Sequence, residues 1–249
     1  PVEVTDSADI VSVFWSPDSM WAGYATRDEV RKVSAAGGAS RTVCKTPTTV
    51  QGADWTEVWD QRGVIVFAVN AGGIFRVPAG GGEPVRILDG SVTKTYDFHG
   101  IVFVGKGEDF ITWTHTGPNL AGNWIRVTQR GHTREAIPGQ MNRGALAAWS
   151  PAGFLLLANP ADGLWALPAR PSGDLREGEK ILIDRDGNSP SAGAGQSLVY
   201  LRHSTGAEQL LLVDRGGHVV QELGKPMPPV FAVAVSPDGR RVALQTSQG

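Results

Sequence analysis

The residues of this 249-residue chain best suited to chemistry are carboxylates, histidines and amides that stand just ahead of short apolar strands. Asp6, Asp9, Asp54, Asp97, His99, Asn142, Arg143, Asn188 and Ser189 form this set. It is polar with an excess of carboxylate, which suits a basic peptide, a cation or a polyhydroxylated ligand. A carboxylate pair such as Asp54 and Asp97 would supply the acid and base for attack on a glycan or lactone. The histidines are His99, His115, His132, His203 and His218, and none stands two or four residues from another. No metal-binding pair on one strand or helix is therefore read.

Other constellations weaken on inspection. Gly100-Ile101-Val102-Phe103-Val104-Gly105-Lys106-Gly107 has the spacing of a phosphate loop, but Gly107 replaces the hydroxyl residue that holds magnesium. Its apolar interior reads as a strand and its turn. Asp184-Arg185-Asp186-Gly187-Asn188 matches the first half of a calcium loop, yet Gly195 stands where that loop needs its last carboxylate. It reads as a turn, with a weak calcium site built from neighbours in space as the alternative. No Gly-x-Ser-x-Gly elbow and no kinase signature occurs. Arg240-Arg241 is the only basic cluster near a turn, so nucleic acid is not expected as a partner. No metal or cofactor is expected either.

Composition sets what must position these groups. Lys and Arg number 23 against 25 Asp and Glu, 41% of residues are apolar and 19% charged, so the chain is neither disordered nor nucleic-acid-wrapping. The 32 Gly and 16 Pro leave no stretch free of both longer than 15 residues, Val2 to Ser16, with Tyr24 to Ala36 next at 13. Ordinary helices need such runs repeatedly. The longest apolar runs, Val64–Val69 and Val230–Val235, are six residues, against the roughly 20 of a membrane helix. Cys44 is the only cysteine, which removes intrachain disulfides.

A repeat organises the rest. Trp15-Ser16-Pro17-Asp18 returns as Trp149-Ser150-Pro151-Ala152-Gly153 and as Val235-Ser236-Pro237-Asp238-Gly239, each followed by a short apolar strand. With Thr56, Val104 and Ala192 as degenerate anchors beside Ser16, Ser150 and Ser236, the steps are 40, 48, 46, 42 and 44 residues. Between anchors, a strand, a Gly-rich tip and a returning strand recur, as in Val33–Gly38 into Arg41–Cys44 and Val77–Gly82 into Val85–Leu88. Four short strands, A to D, per period of about 44 residues predict an all-β chain, a β-propeller of four-stranded antiparallel blades. Six blades are expected in a single domain over 1–249: five whole ones at 8–47, 50–90, 95–139, 142–184 and 187–225, and a closing blade from 229–249 with 1–7. Pro1 in first place and a last period that stops after two strands predict a piece of a longer chain. Trp15, Trp55 and Trp149 sit at anchors and Trp124 and Trp165 on strands C, as packing residues. Trp21, Trp59 and Trp113 have no such place, and Trp59 is expected in an A–B turn beside Glu57 and Asp60.

The Ser-Pro-Asp-Gly turns and Gly-Gly tips resemble the WD-repeat-like propeller of the TolB type, most strongly over 14–44 and 198–246. Phe14–Ser19, Val213-Asp214-Arg215-Gly216-Gly217 and Ser236–Leu244 are also similar to the extracytoplasmic propellers of bacterial membrane-anchored serine/threonine kinases. Ala152 and Gly105 depart from the turn pattern. The resemblance implies a periplasmic or cell-surface location. It also implies a non-enzymatic domain, either the sensor of a receptor-type kinase or a TolB-like scaffold. Such a domain would bind a protein, a peptide or a small ligand at the channel mouth, with no membrane contact of its own. An accessory propeller of a serine peptidase or hydrolase whose catalytic domain is absent is the alternative. An enzyme in its own right, using channel carboxylates, comes third.

Overall fold

The computed structural model describes residues 10–47, 57–69, 72–90, 97–105, 109–115, 122–128, 130–141, 146–159, 163–176, 180–193, 198–202, 208–214 and 218–246. They form five four-stranded antiparallel sheets and one two-stranded sheet. The first sheet holds β1 (Ser12–Trp15), β2 (Trp21–Ala25), β3 (Glu29–Ser34) and β4 (Arg41–Lys45); the second holds β5 (Glu57–Trp59), β6 (Val64–Val69), β7 (Gly73–Pro78) and β8 (Val85–Leu88). The third comprises β9 (Asp97–Val104), β10 (Asp109–His115), β11 (Gly122–Thr128) and β12 (Thr133–Met141). The fourth comprises β13 (Leu146–Ser150), β14 (Phe154–Asn159), β15 (Gly163–Pro168) and β16 (Ile181–Asp184). The fifth comprises β17 (Gly187–Ala192), β18 (Leu198–Arg202), β19 (Glu208–Val213) and β20 (Val219–Met227); β21 (Val230–Val235) and β22 (Val242–Thr246) close the series.

Every sheet is a meander that pairs its strands in chain order. The first strands β1, β5, β9, β13, β17 and β21 each touch the next, and β21 returns to β1. The result is a β-propeller with these six strands around its axis. Apolar residues fill each seam. Phe14, Val30, Phe67 and Val77 pack between blades one and two, Val66, Ile74, Phe98 and Phe110 between two and three, and Trp113, Trp124, Leu155 and Leu157 between three and four. In β6 the residues Ile65 to Val69 are all buried, because a blade lies against each face.

The recurring turn holds itself together. Ser16 Oγ donates to Asp18 Oδ1 at 2.6 Å and accepts from the Trp21 N–H at 2.9 Å, and Asp18 Oδ1 accepts from the Met20 N–H at 3.0 Å. Ser236 and Asp238 repeat this pattern. In blade two the same role falls to Asp60, whose carboxylate accepts from the N–H groups of Arg62 and Val64 and whose own N–H bonds Val64 O, as Ser16 N–H bonds Trp21 O. The anchor expected at Thr56 is therefore Asp60, and the first two steps become 44 and 44 residues. Trp59, not Trp55, takes the place of Trp15 and Trp149. It lies in β5 against Phe14, with ring centroids 6.4 Å apart, rather than in a turn.

The ring closes through side chains between blades six and one. Trp15 Nε1–H donates to Ala234 O at 2.9 Å, and the Asp238 N–H donates to Ser19 Oγ at 3.0 Å. Gly63, Gly153 and Gly239 take the left-handed position of their turns, but blade one uses Ser19 there, at φ 60°. The hydroxyl that accepts from blade six explains why a side chain is held in that conformation. Ser19→Ala should keep the strain, orphan the Asp238 N–H and destabilise by roughly 1–3 kcal/mol in urea unfolding. Ser19→Gly sheds the strain and should fall between wild type and Ser19→Ala.

At the start of the same inner strands, the seam between blades one and two contains a buried acid. Ser12 Oγ donates to Glu57 Oε2, and both residues are buried. Burial pushes the Glu57 carboxyl up to about 7, against the opposing bond from Ser12. Its folded value lies above its unfolded one of 4.5, so stability is fullest below that pH and declines as pH rises through about 7. Thermal unfolding should show this loss, about 3 kcal/mol in all, and Glu57→Gln should flatten it.

Candidate functional site

Each blade begins with its inner strand, so the first residues of β1, β5, β9 and β17 gather at one mouth of the channel. Of the residues expected there, Asp6, Asp9, Asp54, Asn142 and Arg143 lie outside the described residues. Asp97 opens β9 and pairs in register with His115 at the end of β10. His99 follows two residues on. Asn188 and Ser189 lie on β17, two blades away, where the pairing with β18 shifts register and Ser189 takes φ 45°. The structure thus joins Asp97 and His99 on one strand and adds a histidine that sequence spacing did not connect to them.

His99 Nε2 and His115 Nε2 stand 3.2 Å apart, with the rings nearly parallel at 9°. At that distance one ring presents Nε2–H and the other its lone pair. His115 is buried and His99 half-buried, so His115 backs the ring that reaches the mouth. Trp113 fixes both, with its ring 5.2 Å from His99 and 5.1 Å from His115. A bulge sets the alignment: Val102 pairs with Ile111 but His99 with Trp113, so two residues of β9 face Thr112 alone. Gly100 supplies the left-handed backbone at φ 63°, and Thr112 Oγ1 donates to His99 O at 2.8 Å. The phosphate-loop look-alike is thus the strand that aims His99.

Glu57 is the other group at this mouth that sequence reading missed. Its Oε1 is buried and has no hydrogen-bond partner among the described residues. Trp59, further along β5, and Trp21 instead flank Lys32, whose Nζ lies 5.7 and 4.9 Å from their ring centroids and donates to Ala79 O at 2.7 Å. Burial, then the charge of Arg41, holds the Lys32 ammonium below its ordinary value. Trp113 is buried. All three unassigned tryptophans therefore have packing roles.

The calcium-like segment is committed elsewhere. Asp184 accepts from Tyr200 Oη at 2.7 Å, from Arg202 Nη2 at 3.3 Å and from the Asp186 N–H at 3.0 Å, and forms an ion pair with Arg202 Nε at 3.0 Å. Burial pushes its carboxyl up, but these donors outweigh that and hold it below the ordinary value. The segment is a turn. Among the described residues no group of three or more His, Cys, Asp or Glu is placed to hold a metal ion.

Neither a family model nor a curated protein matches the sequence. Solved structures do match the fold. The chain is similar to regucalcin from Agrobacterium tumefaciens, a calcium-binding protein, at 12% identity and a TM-score of 0.71 over 97% of this chain and 83% of that one. It is similar to TolB from Acinetobacter baumannii at 17% identity and 0.65, over 99% of this chain and 57% of that one. Streptogramin B lyase matches at 14% identity and 0.63, over 98% and 93%. At such identities the likeness is one of fold, a β-propeller that TolB shares. It also corrects the expectation of a non-enzymatic domain. An enzyme has this ring over nearly its whole length, and nothing in these neighbours points to a kinase. The sensor, scaffold and accessory-domain readings are set aside on that finding.

Proposed function

We propose that the chain is an enzyme that opens a small cyclic ester at the mouth where its inner strands begin, with His99 as the base and His115 as its orienting partner. The observation that supports this is the imidazole pair, 3.2 Å between Nε2 atoms, held by a bulge and an indole. A neutral pair carries one proton between its rings and accepts a second, which is what activating a water requires. A glycoside calls for two carboxylates flanking the bond; an ester carbonyl calls for one base with a proton affinity near neutrality. The imidazoles therefore favour the lactone over the glycan. The likeness to a lyase supports small-molecule chemistry on this ring. Placement outside the cytoplasm belongs to the same proposal and is supported by the likeness to TolB.

The reaction needs no group from another chain. Water held by His99 attacks the acyl carbon as its proton passes to the imidazole, while His115 keeps the ring oriented. A panel of γ- and δ-lactones, followed by proton release, tests this. Wild type should turn over at least one member. His99→Ala should lose roughly 100-fold or more in kcat with its unfolding transition unchanged, and His115→Ala should lose less. Turnover of no lactone, or an undiminished rate in His99→Ala, would overturn the proposal.

A further inference from the structure

We infer that the outer part of the seam between blades one and two binds a phosphate group, held by Lys32 and Arg41 beside the indole of Trp21. This site stands apart from the imidazole pair and does not rest on the lactone reading. Lys32 and Arg41 are direct register partners on β3 and β4, so their side chains leave the same face of blade one. Trp21 leaves that face too, because Gly23 pairs with Lys32 and Trp21 stands two residues before Gly23. The Lys32 ammonium lies 4.9 Å and the Arg41 guanidinium 5.7 Å from the centroid of the Trp21 ring. Two cations thus share one indole.

No carboxylate balances them. Arg41 forms no hydrogen bond or ion pair among the described residues, and Lys32 Nζ donates to Ala79 O, an uncharged acceptor. Of the acids in blade one, Glu29 pairs with Arg31 on the other face of β3, and Asp18 is held within its own turn. Asp28 lies in the turn before β3, at the far end of the hairpin from Trp21. On blade two, Asp89 pairs with Arg86, and Glu83 bears on the Cys44 thiol but not on Lys32. Like charges directly opposite on neighbouring strands repel. Lys32 carries the mark of it, since burial and then the Arg41 charge hold its ammonium below the ordinary value with no carboxylate opposing them.

Two positive charges side by side match the charge of nearly −2 that a phosphate group carries at neutral pH. The guanidinium offers a planar fork of donors and the ammonium a point charge, the two ways in which phosphate oxygens are held. Trp21 keeps both cations against its ring, so less side-chain freedom is lost when the anion arrives. Solvent reaches the place: Arg41 is exposed, and Lys32 and Trp21 are half-buried. The neighbouring tip of blade two leans on β4 through the Gly82 N–H to Val43 O. It is glycine at positions 80, 81 and 82, so these residues bring no side chain over Arg41.

Inorganic phosphate is the probe. The unfolding temperature of wild type should rise saturably in sodium phosphate against sodium chloride of matched ionic strength, with a change in tryptophan emission that Trp21→Phe removes. Arg41→Gln, at an exposed position, should keep the fold and weaken phosphate binding roughly 10-fold or more. Arg41→Glu sets a carboxylate opposite Lys32 and should abolish binding, whereas His99→Ala should bind as wild type does. Acetate, with a single charge, should bind more weakly than phosphate. Glycerol 3-phosphate separates the two sources of the group, either of which supports the site: tighter binding than inorganic phosphate marks an ester as the occupant, weaker binding the free ion. A transition that follows ionic strength alone, acetate bound as tightly as phosphate, or equal phosphate affinity in wild type and Arg41→Glu overturns the assignment.

Discussion

A strand that is apolar on both faces cannot be kept dry by its own sheet, and this molecule depends on solving that problem six times. β6 is the plainest case, with Ile65 and Phe67 turned to blade one and Val66 and Ala68 to blade three. Each blade covers the next, so the last must cover the first or leave a seam open to water. Among the described residues the chain runs through blades one to six in turn, and the sixth meets the first across space. Hydrogen bonds carry that junction: Trp15 to Ala234, Asp238 to Ser19, and Gln245 to Ile10. The left-handed Ser19 shows the cost accepted to make one of them.

The same constraint fixes where polar chemistry can stand. Seams are filled by aliphatic and aromatic side chains along most of each inner strand, and polar groups enter at the ends. At one end of the seam between blades one and two, Lys32 lies between two indoles with its ammonium bonded to Ala79 O. At the other end, Ser12 meets Glu57. Both groups have their ionisation shifted toward the neutral form by burial. Only Glu57 has a polar atom left over.

The architecture was legible because the turn chemistry is local. Ser, Asp and Gly satisfy one another within five residues, and that pattern survives wherever the residues survive. It failed in blade two, where Asp60 does with a carboxylate what Ser16 does with a hydroxyl. Aligning Trp55 instead of Trp59 slipped the blade by four residues and put Glu57 in a turn when it opens a strand. The histidine pair was hidden for a different reason. His99 and His115 meet only through the β9–β10 hairpin register, and a bulge at Gly100 shifts that register by one residue. Extending the Val102–Ile111 register would pair His99 with Thr114, off the face of His115; the bulge pairs it with Trp113 instead and so brings the two imidazoles to one face. No feature of the sequence announces that Glu57 is buried against Ser12, since the two lie 45 residues apart.

A buried carboxylic acid and an imidazole pair in one ring must not neutralise each other. In water a glutamic acid is roughly two pH units more acidic than an imidazolium and would give its proton away. Strand geometry prevents this here. Side chains alternate along β5, so Glu57 and Trp59 turn toward blade one while Val58 packs toward blade three. The carboxyl therefore sits in the seam between blades one and two, whereas Trp113, beside His99, packs in the seam between blades three and four. The seam between blades two and three, filled by Val66 and Phe98, lies between them. The separation comes from two inner strands and the packed seam between them, so the ring that keeps the core dry also keeps the carboxyl and the imidazoles apart.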